Sequence, residues 1–452
     1  MKVFPQTKWG LLRNLVGEII NQEFYFMSTI KKKLLILGGN PETGYLVKHA
    51  NKLGIHTIVL DPNKDSPAKK HAAESYEVDG LDINGIKRVF AEVNPDGILV
   101  GNADILVPSY FTVCSDLKMP CYTSNERQIE AFCTKDGFIS ACKDYDIDVI
   151  PNYDFESIQN GRGMDHIGFP VIVKPVDNGG GVGMRISWNQ NELEQNVNYA
   201  IKNSKRGRFL IEKFMTCDDM AAYYNFQDGE IYLSAISDRL TSSKQGNHSP
   251  VCIGAIYPSK YVERFVKEVD PKLREMFKGL GVRNGVLNIQ FFVDDERFYA
   301  YDPGFRLQGE GPHFFIQDIN GFDNREMLIN YALTGSMGVV DMEKKNDYNF
   351  NGYRACTVWI LLSEGVITKI EGIGDISNDD SVIQIIQRFD IGDEVSQSMI
   401  GNEKQVFCRI YLKSKDSKQL KEKLNMIEST LLIENQNNEN MIIDLMQSAS
   451  IG

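Results

Sequence analysis

The sequence is short of several things, and each shortage removes a class of function. Nowhere in its 452 residues does an apolar run approach the roughly 18 residues of a membrane span, so no membrane partner is expected. Positive charge is scarce: 49 Lys and Arg face 61 Asp and Glu, leaving a formal charge of −12. Phosphate backbones bind clustered positive charge, so no nucleic-acid partner is expected, and short groups such as Lys31–Lys33 read as solvated faces. Six histidines are scattered without an HExxH pattern. The eight cysteines (Cys114, Cys121, Cys133, Cys142, Cys217, Cys252, Cys356, Cys408) contain no CxxC pair. That excludes a disulfide framework and a cysteine zinc site, and it points to a reduced, cytoplasmic setting. There is no GxxxxGK[ST] P-loop and no internal repeat. The N-terminal 26 residues lack the long apolar core and small-residue cleavage site of a signal peptide. Residues 1–30 read as an extension, with Met27 a natural start for the first domain.

What is present is an ordinary globular composition, 42% hydrophobic and 24% charged, with length for about three domains. The chain is organised around FPVIVKPVDNGGGVGM, residues 169–184. Phe169 to Val173 is a short β-branched run that predicts a buried strand ending at Lys174, and Pro175 bars a helix there. Gly179, Gly180, Gly181 and Gly183 follow, with Val182 among them. Such density has two readings: a flexible hairpin loop, or a loop whose N–H groups approach an anion with the lysine adding charge.

Before this stretch the pattern alternates between strand and helix. LLILGG (34–39), HTIVLD (56–61) and GILVG (97–101) read as parallel strands, the region 119–124 as a further one, and residues 43–53, 83–93 and 107–117 as helices. This is a doubly wound α/β unit. It raises a dinucleotide site and an NAD-dependent dehydrogenase as an alternative, with Asp61 as the distal acid. Against it, the turn is GGNPETG rather than GxGxxG, and Pro41 stands where the helix would present free N–H groups.

Thr134–Lys135–Asp136 lies in helical sequence about forty residues before the glycine loop, with a strand-like exit at Val149–Tyr153. After the loop, RFLIEKFM (208–215) reads as a strand turning polar at Glu212 and Lys213. Asp218 and Asp219 precede two antiparallel strands over 220–238, and Tyr261 to Leu280 reads as one amphipathic helix. Residues 285–311 predict a hairpin with Gln290 on one strand and Asp302 on the other, then Arg306. Oxygen-bearing side chains on paired strands suit a hard cation that takes its remaining ligands from a nucleotide. Further on, 357–372 reads as two strands around a Glu-Gly turn, 406–414 as a strand and 416–429 as a helix.

Taken in this order, the residues resemble the ATP-grasp superfamily, in particular its carboxylate–amine ligase branch, from about residue 31 to 440. The resemblance implies a mixed α/β and α+β fold. A Rossmann-like pre-ATP-grasp domain would span 31–124 and an ATP-grasp domain 125–340, with its flap subdomain at about 150–217. A small C-terminal α+β domain would span 341–452. It implies ATP and Mg2+ (or Mn2+) as cofactors. Lys135 and Lys174 would contact the α- and β-phosphates, with Gly179, Gly180, Gly181, Val182 and Gly183 closing over them. Glu212, Lys213, Phe214 and Met215 would form the adenine hinge, and Asp219 would meet the ribose hydroxyls. Gln290 and Asp302 match the metal-ligand positions, and Arg306, with Lys174, would act on the transferring phosphoryl group. Two departures stand out. Where the family has Glu-x-Asn-x-Arg, this chain has Asp302-Pro303-Gly304-Phe305-Arg306: Asp for Glu keeps the charge with a shorter reach, and glycine removes a ligand unless water or Glu310 takes its place.

The implied reaction joins a small carboxylate to an amine, or to a thiol, through an acyl phosphate made from ATP. The implied partners are those small molecules, with room for a homodimer. Gly304 suggests a further alternative, an ATP-binding protein with lost or reduced catalysis.

Overall fold

Runs such as LLIL and TIVL are apolar at every position, which suits strands covered on both faces. The computed structural model describes residues 31–155, 168–176, 183–204, 207–242 and 250–452. Within these, β1 (Lys33–Leu37), β2 (His56–Leu60), β3 (Glu74–Tyr76) and β4 (Gly97–Val100) form a parallel sheet of order β3-β2-β1-β4. Helices α1 (Pro41–Lys52), α2 (Ile83–Val93) and α3 (Val107–Leu117) connect and cover it. Pro41 occupies the first helical position of α1 and Asn40 caps it, accepting from the Thr43 N–H at 2.8 Å.

The fourth strand differs from expectation. Residues 119–124 form no strand; Glu74–Tyr76 does, at the sheet edge. Its sequence, Glu-Ser-Tyr, carries no apolar pattern because it is largely exposed. Tyr122 instead packs in the core against Tyr110 and Phe305, with ring centroids 5.1 and 5.3 Å away.

α4 (Glu126–Cys133) and α5 (Lys135–Asp144) meet at Thr134, whose hydroxyl caps α5. Next comes a four-stranded antiparallel sheet of order β5-β8-β6-β7, made of β5 (Asn152–Tyr153), β6 (Val171–Pro175), β7 (Arg185–Ser187) and β8 (Phe209–Lys213). The helix α6 (Gln190–Asn203) packs Leu193, Val197 and Ala200 against Val171, Val173 and Ile211. β6 begins two residues later than the apolar run predicts and keeps Lys174 and Pro175 in the ladder, opposite Leu210 and Phe209. Pro175 is tolerated because β7 has already ended, so nothing on that side requires its N–H.

The body is one long antiparallel sheet. β9 (Asp218–Gln227), β10 (Glu230–Ser242) and β11 (Val251–Tyr257) lead through α7 (Val262–Glu268) and α8 (Asp270–Gly279) to the hairpin β12 (Gly285–Val293) and β13 (Phe298–Gly304). The single helix expected over 261–280 is broken at Val269, where Pro271 removes an intrahelical hydrogen bond. After α9 (Asn324–Thr334) come β14 (Arg354–Leu362), β15 (Gly365–Glu371), β16 (Val382–Gln387), β17 (Glu394–Val395) and β18 (Val406–Ser414). The chain ends with α10 (Ser417–Thr430), β19 (Leu432–Asn435) and β20 (Ile442–Asp444). The sheet order is β13-β12-β9-β10-β11-β14-β18-β16, so it runs without a break across residue 340. β14 and β15, adjacent in sequence, do not pair with each other. β14 lies between β11 and β18, while β15 joins β17 and β19 in a separate sheet.

The N-terminal and C-terminal parts are tied by a buried ionic knot. Glu42 on α1 pairs with Arg388 at 2.5 Å and with Arg409 at 2.8 Å, and Arg409 lies over the Trp359 ring at 4.0 Å. Burial opposes ionisation of Glu42, but the two guanidinium groups override it and hold its carboxyl down at about 2. Glu42→Gln should therefore cost about 3 kcal/mol at pH 7, since it leaves two buried cations undercompensated. The native carboxyl sits below its ordinary 4.5, so its contribution is present above that value and fades as pH falls towards 2. Thermal melts of both proteins from pH 7 to pH 3 should show the gap in Tm narrowing; a gap independent of pH contradicts this.

Candidate functional site

The hairpin β12–β13 sets the geometry. Its register places Gln290 opposite Asp302 and Asn288 opposite Gly304, so all four positions share one face. The turn is fixed by Asp294, which accepts from the N–H groups of Glu296 and Arg297 at 2.9 and 2.7 Å. Asp302 is raised above the ordinary carboxyl range. Burial is the main cause and Asp104 adds to it, while Lys135, Lys174 and Arg306 pull the other way. Three cations predicted from distant parts of the sequence thus act electrostatically on one carboxylate. Arg306 pairs with Asp104, and donates to Leu307 O at 3.0 Å and Gln308 Oε1 at 3.2 Å.

Asp104 escaped the sequence reading. It lies in the short 3-10 turn after β4, at the carboxyl edge of the parallel sheet beside the point where the strand order reverses. That switch point is where such sheets place ligands, and it was the signal available in the sequence pattern.

Lys174 and Glu212 are diagonal neighbours on one face of the small sheet, because Ile172 pairs with Glu212. Their side chains meet at 2.5 Å, with only 7% and 5% of each exposed. Lys135, first residue of α5, donates to Pro175 O at 3.3 Å and so ties that helix to the end of β6. In the hinge, the N–H groups of Lys213 and Phe214 are already used by Pro151 O and Pro170 O, at 2.9 and 3.1 Å. Recognition of a base by these two residues would fall to other atoms, and Met215 follows them half-buried. Gly183 has φ +81°, and a Cβ there would stand 2.7 Å from Pro175 Cγ, so both conformation and space demand glycine. Gly179, Gly180, Gly181 and Val182 lie outside the described residues.

Asp219 faces Arg239 across β9–β10 and pairs with it at 2.5 Å, also accepting from Tyr301 at 3.0 Å. Burial, reinforced by Glu310, lifts its carboxyl to about 6 against the pull of Arg239. Arg239 in turn holds Glu310 at 2.8 Å, and the Tyr223 hydroxyl donates to Glu310 at 2.5 Å. Glu310 therefore does not reach towards Gly304 as a substitute ligand; both its oxygens serve a buried network. Among the described residues, no three His, Cys, Asp or Glu side chains form a preformed metal cage. No helix among them is long and apolar enough to cross a membrane.

Residues 134–327 match the family described as carbamoyl-phosphate synthase L chain, ATP binding domain. The carbamoyl phosphate synthase large chain of Clostridium botulinum (strain Loch Maree / Type A3) is 22% identical over 299 residues, 62% of this chain and 27% of that protein. The chain thus spans about a quarter of the length of that relative. Among solved structures, the L-amino acid ligase of Bacillus licheniformis superposes with a TM-score of 0.74 at 16% identity, covering 90% of this chain and 99% of that one. The biotin carboxylase domain of the Hydrogenobacter thermophilus 2-oxoglutarate carboxylase, in complex with MgADP and bicarbonate, gives 0.72 at 18% identity, covering 89% and 90%. The matched segment holds Lys135, Lys174, Glu212, Gln290, Asp302 and Arg306, so residues 134–327 are similar to the carbamoyl-phosphate synthase L chain ATP-binding domain, and the fold of most of the chain is that of these solved structures.

Proposed function

We propose that this chain is an ATP-dependent ligase that activates a small carboxylate as an acyl phosphate and joins it to an amine or a similar nucleophile. The observation that carries this reading is that Lys135, Lys174 and Arg306 all act electrostatically on Asp302, which stands opposite Gln290 in the hairpin. Clustered cations beside oxygen donors on paired strands suit a nucleoside triphosphate with its metal.

In the first step a carboxylate oxygen attacks the γ-phosphorus of ATP and ADP leaves with the bridging oxygen. In the second, the amine attacks the acyl carbon, loses a proton and expels phosphate. Neither step needs a covalent bond to the protein, so the residues act by position and charge. Lys174 is held by Glu212 at 2.5 Å and Lys135 by Pro175 O at 3.3 Å, which supports a reading in which both ammonium groups would meet the phosphates. Arg306, oriented by Asp104 and Gln308, faces the charge that develops on the transferring group. Gln290 and Asp302 suit Mg2+ or Mn2+ as oxygen donors, and the buried Asn288 Oδ1 beside them has no partner among the described residues. The metal would supply neutralisation of phosphoryl charge. Asp219, enclosed by Arg239 and Tyr301, would meet the ribose through its network rather than as a free carboxylate.

The setting that fits is cytoplasmic, since all eight cysteines are free thiols. The partners would be small molecules, and a homodimer is consistent with the dimeric biotin carboxylase domain among the solved relatives.

Two measurements test this. Lys174→Ala should weaken ATP binding by about 1.5–3 kcal/mol, the value of a charge-assisted phosphate contact. Titration calorimetry on a variant shown to be folded by circular dichroism reads it, and unchanged affinity removes Lys174 from the phosphate site. For Asp302→Asn, ADP release should be lost across a panel of carboxylates and amines, while most ATP affinity remains in the lysines and hinge. Full turnover by that variant would place the chemistry elsewhere.

A further inference from the structure

We propose that Asn288 supplies, from the opposite strand, the metal-binding oxygen that Gly304 cannot provide. This rests on the Mg-nucleotide reading of the hairpin, and it assigns a ligand which that reading leaves open.

Gly304 does not need to be glycine for conformation, since its φ lies outside the left-handed region. It needs to be glycine for space. A Cβ there would collide with Asn288 Oδ1, the residue paired with it across β12–β13. The amide oxygen of Asn288 therefore fills the room that a side chain at 304 would take. Asn288 is 5% exposed, and its Oδ1 has no hydrogen-bond partner among the described residues. Asp104 Oδ1 lies 3.1 Å from the same Cβ position and is likewise buried without a partner, its other oxygen being held by Arg306.

Two unpartnered acceptors beside one point are unfavourable in a finished core, and the nearby donor Gln308 Nε2, 3.4 Å from that point, is engaged by Gly304 O and Arg306 O instead. The two acceptors are the arrangement a hard cation completes. Asn288 and Gln290 are two apart on β12, and Gly304 and Asp302 two apart on β13, so the added oxygen lies on the same face as the two donors already assigned. The pair reads as an exchange across one register position: the amide stands on β12 and the glycine on β13. An asparagine at 304 would serve the same spot, but only if position 288 were emptied.

The experiment uses the full chain with a non-hydrolysable ATP analogue and follows Mn2+ binding by electron paramagnetic resonance. Asn288→Leu keeps the volume and removes the oxygen. It should weaken Mn2+ in the ternary complex by about tenfold or more, with metal-free analogue affinity unchanged. Asn288→Asp keeps an oxygen and should bind Mn2+ at least as tightly as the parent. The exchanged double variant, Asn288→Gly with Gly304→Asn, should recover binding that Asn288→Gly alone loses. Unchanged Mn2+ affinity in Asn288→Leu, or no recovery in the exchange, overturns the proposal. So does loss of Mn2+ in Asn288→Asp, which would mean that the side chain acts on Asp104 through its amide N–H. Asp302→Asn separates the two levels. If Mn2+ binding survives that change, the Mg-nucleotide reading itself fails; if it is lost while Asn288→Leu is silent, only the role of Asn288 fails.

Discussion

The arrangement of the whole site depends on the register of one hairpin. Side chains alternate faces along a strand, so a slip of one residue between β12 and β13 would turn Asp302 or Gln290 away from its partner. Two features hold the register. Asp294 closes the turn with two backbone N–H groups, and the outer edge of β13 is covered where Ala300 donates to Asp148 O at 2.9 Å. That second contact also matters for charge, because the segment reaching Asp148 leads directly out of α5, the helix that begins with Lys135. The segment that covers the strand edge thus continues from the helix that carries Lys135.

Around this hairpin, buried cations are each matched to a carboxylate: Lys174 to Glu212, Arg306 to Asp104, Arg239 to Asp219 and Glu310. Asp302 makes no ion pair of its own among the described residues, and it draws on three cations that are engaged elsewhere. A buried carboxylate in that position keeps a raised affinity for positive charge. Asp302 is thus left without an ion pair among the described residues, whereas Asp219 and Glu310 are paired with Arg239. The same pairing holds Lys174 and Arg306 on carboxylates other than Asp302.

The C-terminal part contributes by support. Because β14 and β18 extend the main sheet, Arg409 on β18 can reach both Glu42 on α1 and Gly309 O in the segment between Arg306 and Glu310. The loop carrying the arginine of the site is therefore braced from a strand about a hundred residues later, and the first domain is braced with it.

Much of this was legible beforehand. The parallel strands, α2, α3, β9, β10, the hairpin and β18 follow from apolar runs and alternation, which act locally and need no knowledge of neighbours. Gln290 and Asp302 were legible for the same reason, as polar residues interrupting apolar strands. Features decided by distant contacts were not. β3 has no apolar pattern, and β14 and β15 abandon each other for partners in separate sheets. Asp104 joins the site only because the carboxyl edge of the first sheet meets the hairpin. Glu310 has the chemistry of a ligand, but Arg239 takes it away. The sequence by itself determined which elements form and which residues carry charge or oxygen, since those depend on local periodicity and residue chemistry. Only the tertiary structure decided which oxygens remain unpaired and face a common point, because that depends on what packs opposite each side chain, as Asn288 does opposite Gly304.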